Sequence, residues 1–312
     1  MRSDGDSWDI VSSVGRTALG VATFRALETE RPDPLIEDRC ARWFVEAAGD
    51  PHFIGLLTDP SPLEALPFFF PGFMGVRTRF FDEYFAASGT TQAVILAAGL
   101  DARAYRLDWP AGTTVFEVDR EPVLDFKAAV LAAHAVTPRV DRRAVAVDLR
   151  EDWPAALGAA GLDSGRPTAW SAEGLLPYLP GAAHDALFAR IDALSAPGSR
   201  VALDGFGAEN DPRRFVAMRD KYFGNALFGD VDVTSLLYED ERADPARWLT
   251  DHGWTVEQSS PAELATTYGV QVPDLPDDLA EIAYAPAYLT GWKGESAPGE
   301  PAAGEPAAGG SA

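Results

Sequence analysis

Residues 93–103 read Ala-Val-Ile-Leu-Ala-Ala-Gly-Leu-Asp-Ala-Arg, and residues 113–120 read Thr-Thr-Val-Phe-Glu-Val-Asp-Arg. Ala93 to Ala97 is a continuous apolar run with no polar alternation, the pattern of a parallel strand buried on both faces. Gly99 follows at once, where the backbone has to bend and pass close to something. Thr113 to Val118 is a second β-rich run, closed by Asp119, twenty residues beyond Gly99. Nucleotide-type α/β sites place the acid that grips a ribose at about that spacing. The stretch therefore predicts a strand, a tight turn, a helix start and a second strand ending in an acid.

Two readings of this stretch stay open on its residues alone: a nucleoside site, or a purely structural turn. The three-glycine fingerprint G-x-G-x-x-G is absent, since only Gly99 sits in the turn, after Ala97 and Ala98. That argues against a nicotinamide or flavin dehydrogenase, whose pyrophosphate needs close backbone approach at a helix N-terminus. S-adenosylmethionine carries no phosphate, so one glycine among small residues suffices for it.

Outward from the stretch, the chain alternates. A short helix is expected over 102–107, a helix over 121–134 opened by Glu121-Pro122, a strand over 143–147 ending in Asp148, and a helix over 151–160. A strand over 167–172 leads into Glu173, then a helix over 182–195 and a strand over 199–204. Short apolar strands alternating with amphipathic helices mean an α/β, doubly wound, mostly parallel Rossmann-like sheet. Ligands sit at the carboxyl ends of such strands, near the switch point; Gly99, Asp119, Asp148, Glu173 and Asp204 all fall on that edge. Toward the C-terminus the patterns give helices over 212–224, 244–253 and 261–268 and closing strands over 254–259 and 283–290, the last made awkward by Pro286.

Before the stretch the chain reads as helical: 16–28, 35–48 and 74–88, with a proline- and phenylalanine-rich segment holding Phe68, Phe69 and Phe70 between the last two. That aromatic cluster is either core packing or the wall of an apolar pocket. The expected organisation is a helical leader and cap over 1–90, a Rossmann-like core over 91–293 with a cap insertion about 205–245, and a disordered tail over 294–312, where Gly-Glu-Pro-Ala-Ala occurs twice.

Charge narrows the partners. With 48 acidic against 26 basic residues, the net charge is −22. Phosphate binding needs a basic face, so nucleic acid is excluded as a partner, and an anionic membrane surface is disfavoured for the same reason. The single cysteine, Cys40, can form no intrachain disulfide and is expected as a buried thiol; a cytoplasmic setting follows from that usage. The histidines at 52, 134, 184 and 252 are scattered without ligand spacing, so no metal site is expected.

Five segments carry a family resemblance in order and spacing: Arg77-Thr78-Arg79-Phe80-Phe81-Asp82; Leu96 to Arg103; Phe116-Glu117-Val118-Asp119; Val145 to Arg150; and Ala172-Glu173-Gly174-Leu175-Leu176-Pro177-Tyr178-Leu179. Together they resemble the class I S-adenosylmethionine-dependent methyltransferases, in the bacterial branch related to leucine carboxyl methyltransferase. The resemblance covers residues 73–205 and says little about substrate. It implies S-adenosyl-L-methionine as cofactor and an oxygen, carboxylate or hydroxyl, of a small-molecule methyl acceptor as the target. It also implies roles. Ala97 and Gly99 would line the site, Gly99 beside the methionine part. Asp119 would bind the ribose hydroxyls. Asp148 would take the adenine amine and the Leu149 backbone amide a ring nitrogen. Arg77 would pair with the methionine carboxylate, and Glu173 would sit near the sulfonium and amino group.

Local alternatives stand beside these roles. Asp119 and Asp148 could be loop acids or helix caps, Arg77 a helix-surface arginine paired with Asp82 or Glu83, and Asp101 a cofactor ligand or a cap. No catalytic residue is assigned. A carboxylate acceptor needs no general base, whereas a hydroxyl would call for one from Glu173, Tyr178 or His184, although Tyr178 is expected to pack beneath the site and His184 on a helix surface. Two other classes share the fold: an NAD(P)-dependent oxidoreductase and a non-catalytic nucleoside-binding protein.

Overall fold

The computed structural model describes residues 13–64, 66, 72–205, 217, 221–222, 226, 229, 236–238 and 240–294. The leader, the Phe68–Phe70 cluster, the helix expected over 212–224, most of the 205–245 insertion and the tail beyond residue 294 lie outside the described residues.

Strand β1 (Gln92–Leu96) is buried along its whole length, as its unbroken apolar run requires. It pairs in parallel with β2 (Thr114–Asp119) on one side and with β4 (Ala169–Ala172) on the other. β3 (Asp141–Ala146) extends the sheet beyond β2, and β5 (Arg200–Asp204) extends it beyond β4, both in parallel. β7 (Tyr288–Lys293) runs antiparallel between β5 and β6 (Trp254–Ser259), giving the order β3-β2-β1-β4-β5-β7-β6. The order therefore reverses between β1 and β4, and the crevice at their carboxyl ends is where such sheets hold ligands. This is the doubly wound, mostly parallel α/β sheet that the alternation predicts.

Helices cover both faces. The N-terminal set is α1 (Ser13–Thr29), α2 (Arg39–Ala48), α3 (Pro51–Thr58), α4 (Ser61–Glu64) and α5 (Phe73–Ala87). Its side chains Leu19, Phe44, Phe53 and Phe81 share one core with Ala93, Ile95 and Val115 of the sheet. On the opposite face Val94, Leu96, Phe116 and Val118 pack with Trp153, Leu187, Phe188 and Ile191. Those last residues belong to α8 (Trp153–Ala159) and α9 (Gly181–Ala193); α6 (Arg103–Arg106) and α7 (Glu121–Ala133) flank β2 in the chain. The alternation of odd and even β1 residues between two cores is the side-chain period of a strand at work.

Several boundaries depart from the sequence reading. The helix expected from Leu35 begins at Arg39, because the Asp38 side chain caps it through the Ala41 N–H at 3.2 Å. Asp50 and Pro51 open α3, a helix that the sequence reading does not assign; the Asp50 carboxylate accepts the His52 N–H at 2.9 Å. The strand expected over 283–290 starts later, at Tyr288. Residues Asp277–Ala283 form α12, after α10 (Pro245–Asp251) and α11 (Pro261–Thr267), and β7 starts only at Tyr288. Pro286 lies in the connection, where its missing N–H costs the ladder nothing. Cys40 is buried as expected, and burial raises its thiol to about 11, which keeps it protonated.

Candidate functional site

The turn after β1 is held in a conformation side chains resist. Ala97 has φ +50° and Gly99 φ +47°, so the chain passes twice through the left-handed region within three residues. Strain of this kind persists only when surrounding bonds over-determine it. They do. The Ala98 N–H donates to the Val118 carbonyl at 3.0 Å and the Asp101 N–H to the Ala98 carbonyl at 2.8 Å. The Gly99 N–H donates to Asp119 Oδ2 at 2.6 Å. A Cβ placed on Gly99 would meet the Ala97 carbonyl at 3.8 Å and the Ala18 Cβ at 4.0 Å, ordinary van der Waals contact, so the left-handed φ rather than crowding is what favours glycine here.

Asp119 is the acid at the end of β2. Its Oδ1 accepts the Arg120 N–H at 2.7 Å. Burial pushes the carboxyl above its ordinary range, against the pull of the Gly99 and Arg120 N–H groups. A carboxylate offers about four lone-pair sites, so one remains on each oxygen. The neighbouring strand end carries Asp148. The Val147 N–H donates to the Asp119 carbonyl at 3.0 Å, which keeps both acids on the same rim. Asp148 Oδ1 accepts the Arg150 N–H and Nε–H, both at 2.9 Å, and Oδ2 accepts Arg150 Nη2 at 2.7 Å. Those Arg150 bonds hold its carboxyl below the usual carboxylate range. One lone pair stays on Oδ2. Leu149 follows, half-buried against the second core.

Arg77 enters from α5 and reaches two strand ends at once. Its Nε donates to Asp204 Oδ2 at 2.6 Å and lies 3.5 Å from Glu173 Oε1. The alternative partners Asp82 and Glu83 are not its partners: Asp82 takes Arg103 and Arg106, and Glu83 takes Arg79. Asp204 Oδ1 accepts the Gly174 N–H at 2.6 Å. Gly174 has φ +62°, and a Cβ there would fall 2.6 Å from Arg77 Nη2. The glycine thus lets the guanidinium lie against the backbone that follows β4. Burial raises the Asp204 carboxyl despite Arg77, with Glu173 adding to the rise.

The centre of this network is a residue without an assigned role in the sequence reading. Arg103, 1% exposed, donates from Nε to Asp82 Oδ1 at 2.6 Å and from Nη1 to Glu173 Oε2 at 2.7 Å and to Asp101 Oδ2. Arg106 pairs with Asp82 as well, at 2.6 Å. Arg77, Arg103 and Arg106 thus face Asp82, Asp101, Glu173 and Asp204, a buried network with more acid than base. Asp101 Oδ1 accepts the Arg103 N–H at 2.7 Å, two residues on, next to Ala102, the N-cap residue of α6. Burial works against the Asp101 charge, yet Arg103 and Lys127 prevail and hold the carboxyl below its ordinary range.

The candidate bases fare differently. Glu173 is bridged by two guanidinium groups. His184 is not on a helix surface as the sequence reading expects. It is 1% exposed in α9, its ring edge-on to Phe188, with Nδ1 on Asp185 at 3.0 Å. Burial lowers its pKa below the ordinary imidazole value, so the ring is neutral at pH 7. Tyr178 ends the 3₁₀ turn Leu176–Tyr178 after β4. Among the described residues no group of three or more His, Cys, Asp or Glu could hold a metal ion, and no helix is long and apolar enough to cross a membrane.

The family model described as leucine carboxyl methyltransferase matches residues 18–192. A relative from Rhodococcus jostii (strain RHA1), named "Putative S-adenosyl-L-methionine-dependent methyltransferase", is 67% identical over 296 residues, covering 94% of this chain and 100% of its own. One from Mycobacteroides abscessus with the same description is 55% identical over 293 residues, covering 93% of this chain and 95% of its own. A third, from Mycobacterium tuberculosis, is 52% identical over 279 residues, covering 88% and 91%.

Proposed function

The chain belongs to the leucine carboxyl methyltransferase family and is an S-adenosylmethionine-dependent methyltransferase, and on that premise we propose that it methylates a carboxylate oxygen of a small molecule. The cofactor, when bound, supplies a methyl group on an activated sulfonium. The residues at the rim fit it. The two lone-pair sites left on Asp119, one on each oxygen, match two vicinal ribose hydroxyls, and such charge-assisted bonds are the stronger kind. The site left on Asp148 Oδ2 suits one amine hydrogen of adenine, with the Leu149 backbone amide beside it. Ala97 and Gly99 are only partly buried, so the turn can take the methionine half against its backbone. Arg77 is suited to the methionine carboxylate, and Glu173 to the positive amino and sulfonium groups.

The carboxylate reading is carried by one observation: two of the three candidate bases for a hydroxyl acceptor, Glu173 and His184, are committed elsewhere. Glu173 is bridged by the Arg77 and Arg103 guanidinium groups, and His184 is enclosed beside Phe188. A carboxylate is already a nucleophile and needs no proton removed, so the protein's task reduces to holding it in line, about 3 Å from the methyl carbon. The family description supports the same acceptor class.

A screen of small carboxylic acids and phenols with methyl-labelled S-adenosylmethionine tests this. Labelled product from carboxylic acids, released by mild base as an ester should be, supports the proposal. Base-stable label found only on phenols contradicts it and shifts the assignment to hydroxyl transfer.

A further inference from the structure

Lys127 is a charged side chain with no exposure at all, in the middle of α7. Its Nζ donates to the Asp101 carbonyl at 3.0 Å and pairs at 2.7 Å with Glu117, itself fully buried in β2. Arg142 of β3 shares the same oxygen, Glu117 Oε2, at 2.6 Å, while Oε1 has no hydrogen-bond partner. A buried ion pair is weak evidence for stability, because desolvation offsets most of the attraction and an apolar replacement of similar volume is often as stable. The pair therefore asks for another explanation.

Its geometry supplies one. Glu117 and Asp119 lie two residues apart on β2, hence on one face of the strand. Asp119 holds the amide side of the turn, through the Gly99 N–H. Glu117 holds the carbonyl side, through Lys127 and the Asp101 carbonyl. A second buried cation repeats the device one residue earlier: Arg25 of α1 donates to the Leu100 carbonyl at 2.6 Å and pairs with Asp38. These grips fall on Gly99, Leu100 and Asp101, on and just after the left-handed residues Ala97 and Gly99, which local preference would not keep in place.

We propose that Lys127, anchored by Glu117, is a positioning residue for the methionine half of the cofactor site: it fixes the Asp101 backbone, and with it the Gly99 turn and the Asp101–Arg103–Glu173 network. This rests on the cofactor reading above. Lys127 touches no part of the cofactor in this arrangement. Its effect passes through the Asp101 carbonyl, so it should act on the methionine end and spare the nucleoside end, which Asp119 and Asp148 hold.

Two probes separate those ends: S-adenosylmethionine, and 5′-methylthioadenosine, which lacks the amino-acid tail. Their affinities are measured by calorimetry on wild type, on Lys127→Met, and on the charge-neutral pair Glu117→Gln/Lys127→Met, with circular dichroism as the check on folding. The neutral pair is expected to bind S-adenosylmethionine about tenfold more weakly, the cost of one lost charge-assisted bond, with methylthioadenosine changed by less than about threefold. Where it does not fold, Lys127→Arg carries the test. The longer side chain keeps the ion pair but displaces the donor from Asp101, and the same split is expected at smaller size. Equal losses for both probes, or no loss for either, overturn the proposal. Wild-type protein that binds neither probe overturns the cofactor reading instead.

Discussion

Asp119 has two hydrogen bonds already made and two lone pairs to spare, and both facts matter. A variant that deletes the carboxylate also leaves the Gly99 N–H without its acceptor, so an alanine would confound binding with folding, and Asp119→Asn is the better probe. It keeps an acceptor for Gly99 and loses the charge. We expect S-adenosylmethionine to bind at least about tenfold more weakly, since charge-assisted bonds are roughly twice as strong as neutral ones; calorimetry at pH 7.5 checks this. The pH dependence has a definite sign. Burial raises the Asp119 carboxyl above its ordinary range, so wild-type affinity should begin to fall, as pH drops, at a higher pH than an exposed aspartate would give, while Asp119→Asn stays flat. Folding runs the other way: a raised carboxyl binds its proton more tightly in the folded state, so stability from Asp119 declines as pH rises through its pKa. Asp101 and Asp148, both lowered, contribute stability above the ordinary aspartate range that is lost on acidification. Gly99, Asp119 and Asp148 were legible in the sequence because strand ends and tight turns leave local patterns. Arg103 was not. Nothing in Arg-Ala-Tyr-Arg distinguishes a hub from a surface residue, and its partners come from positions 82, 101 and 173.

At the scale of elements, the parallel strands were legible because each is short, apolar and followed by a turn signal. The misreadings share a cause: caps and connections are decided by single residues. Asp38 moves the start of α2, and Asp50 with Pro51 creates α3. The strand expected from residue 283 begins later, because Leu279 and Ile282 face the first core as part of α12, which opens with Asp277 and Asp278 favouring its N-terminus and runs through Ala283. Arg103 shows what binds the elements together. From α6 it reaches Asp82 on α5 and Glu173 after β4, and with Arg77 and Asp204 it draws α5, β4 and β5 to one point. Arg103→Met should take the shared cation away from Asp82, Asp101 and Glu173 and lower stability by about 3–5 kcal/mol, the cost of breaking a buried pair from one side. Arg103→Lys should recover little of it, since a point charge cannot replace the planar fork. Urea midpoints of the two variants against wild type check both; a midpoint within experimental error of wild type for Arg103→Met would contradict the hub.

For the whole molecule, the strand order places the reversal between β1 and β4, and Asp119, Asp148, Glu173 and Asp204 lie at or just beyond strand carboxyl ends around it. The net charge of −22 fits the same picture, since the cofactor carries a sulfonium and an ammonium against one carboxylate. Composition argued against nucleic acid and the turn against a dinucleotide, but neither identified the acceptor, because acceptor pockets are built from side chains that converge from separate segments. The most direct measurement is a calorimetric titration of the wild-type protein with S-adenosylmethionine, with a melting curve and an NADH control. The account predicts one-site binding, a melting point higher by a few degrees at about 100 times the Kd, where linkage supplies about 2.7 kcal/mol, and no heat from NADH. No heat and no shift with S-adenosylmethionine, or binding of NADH in its place, would contradict it.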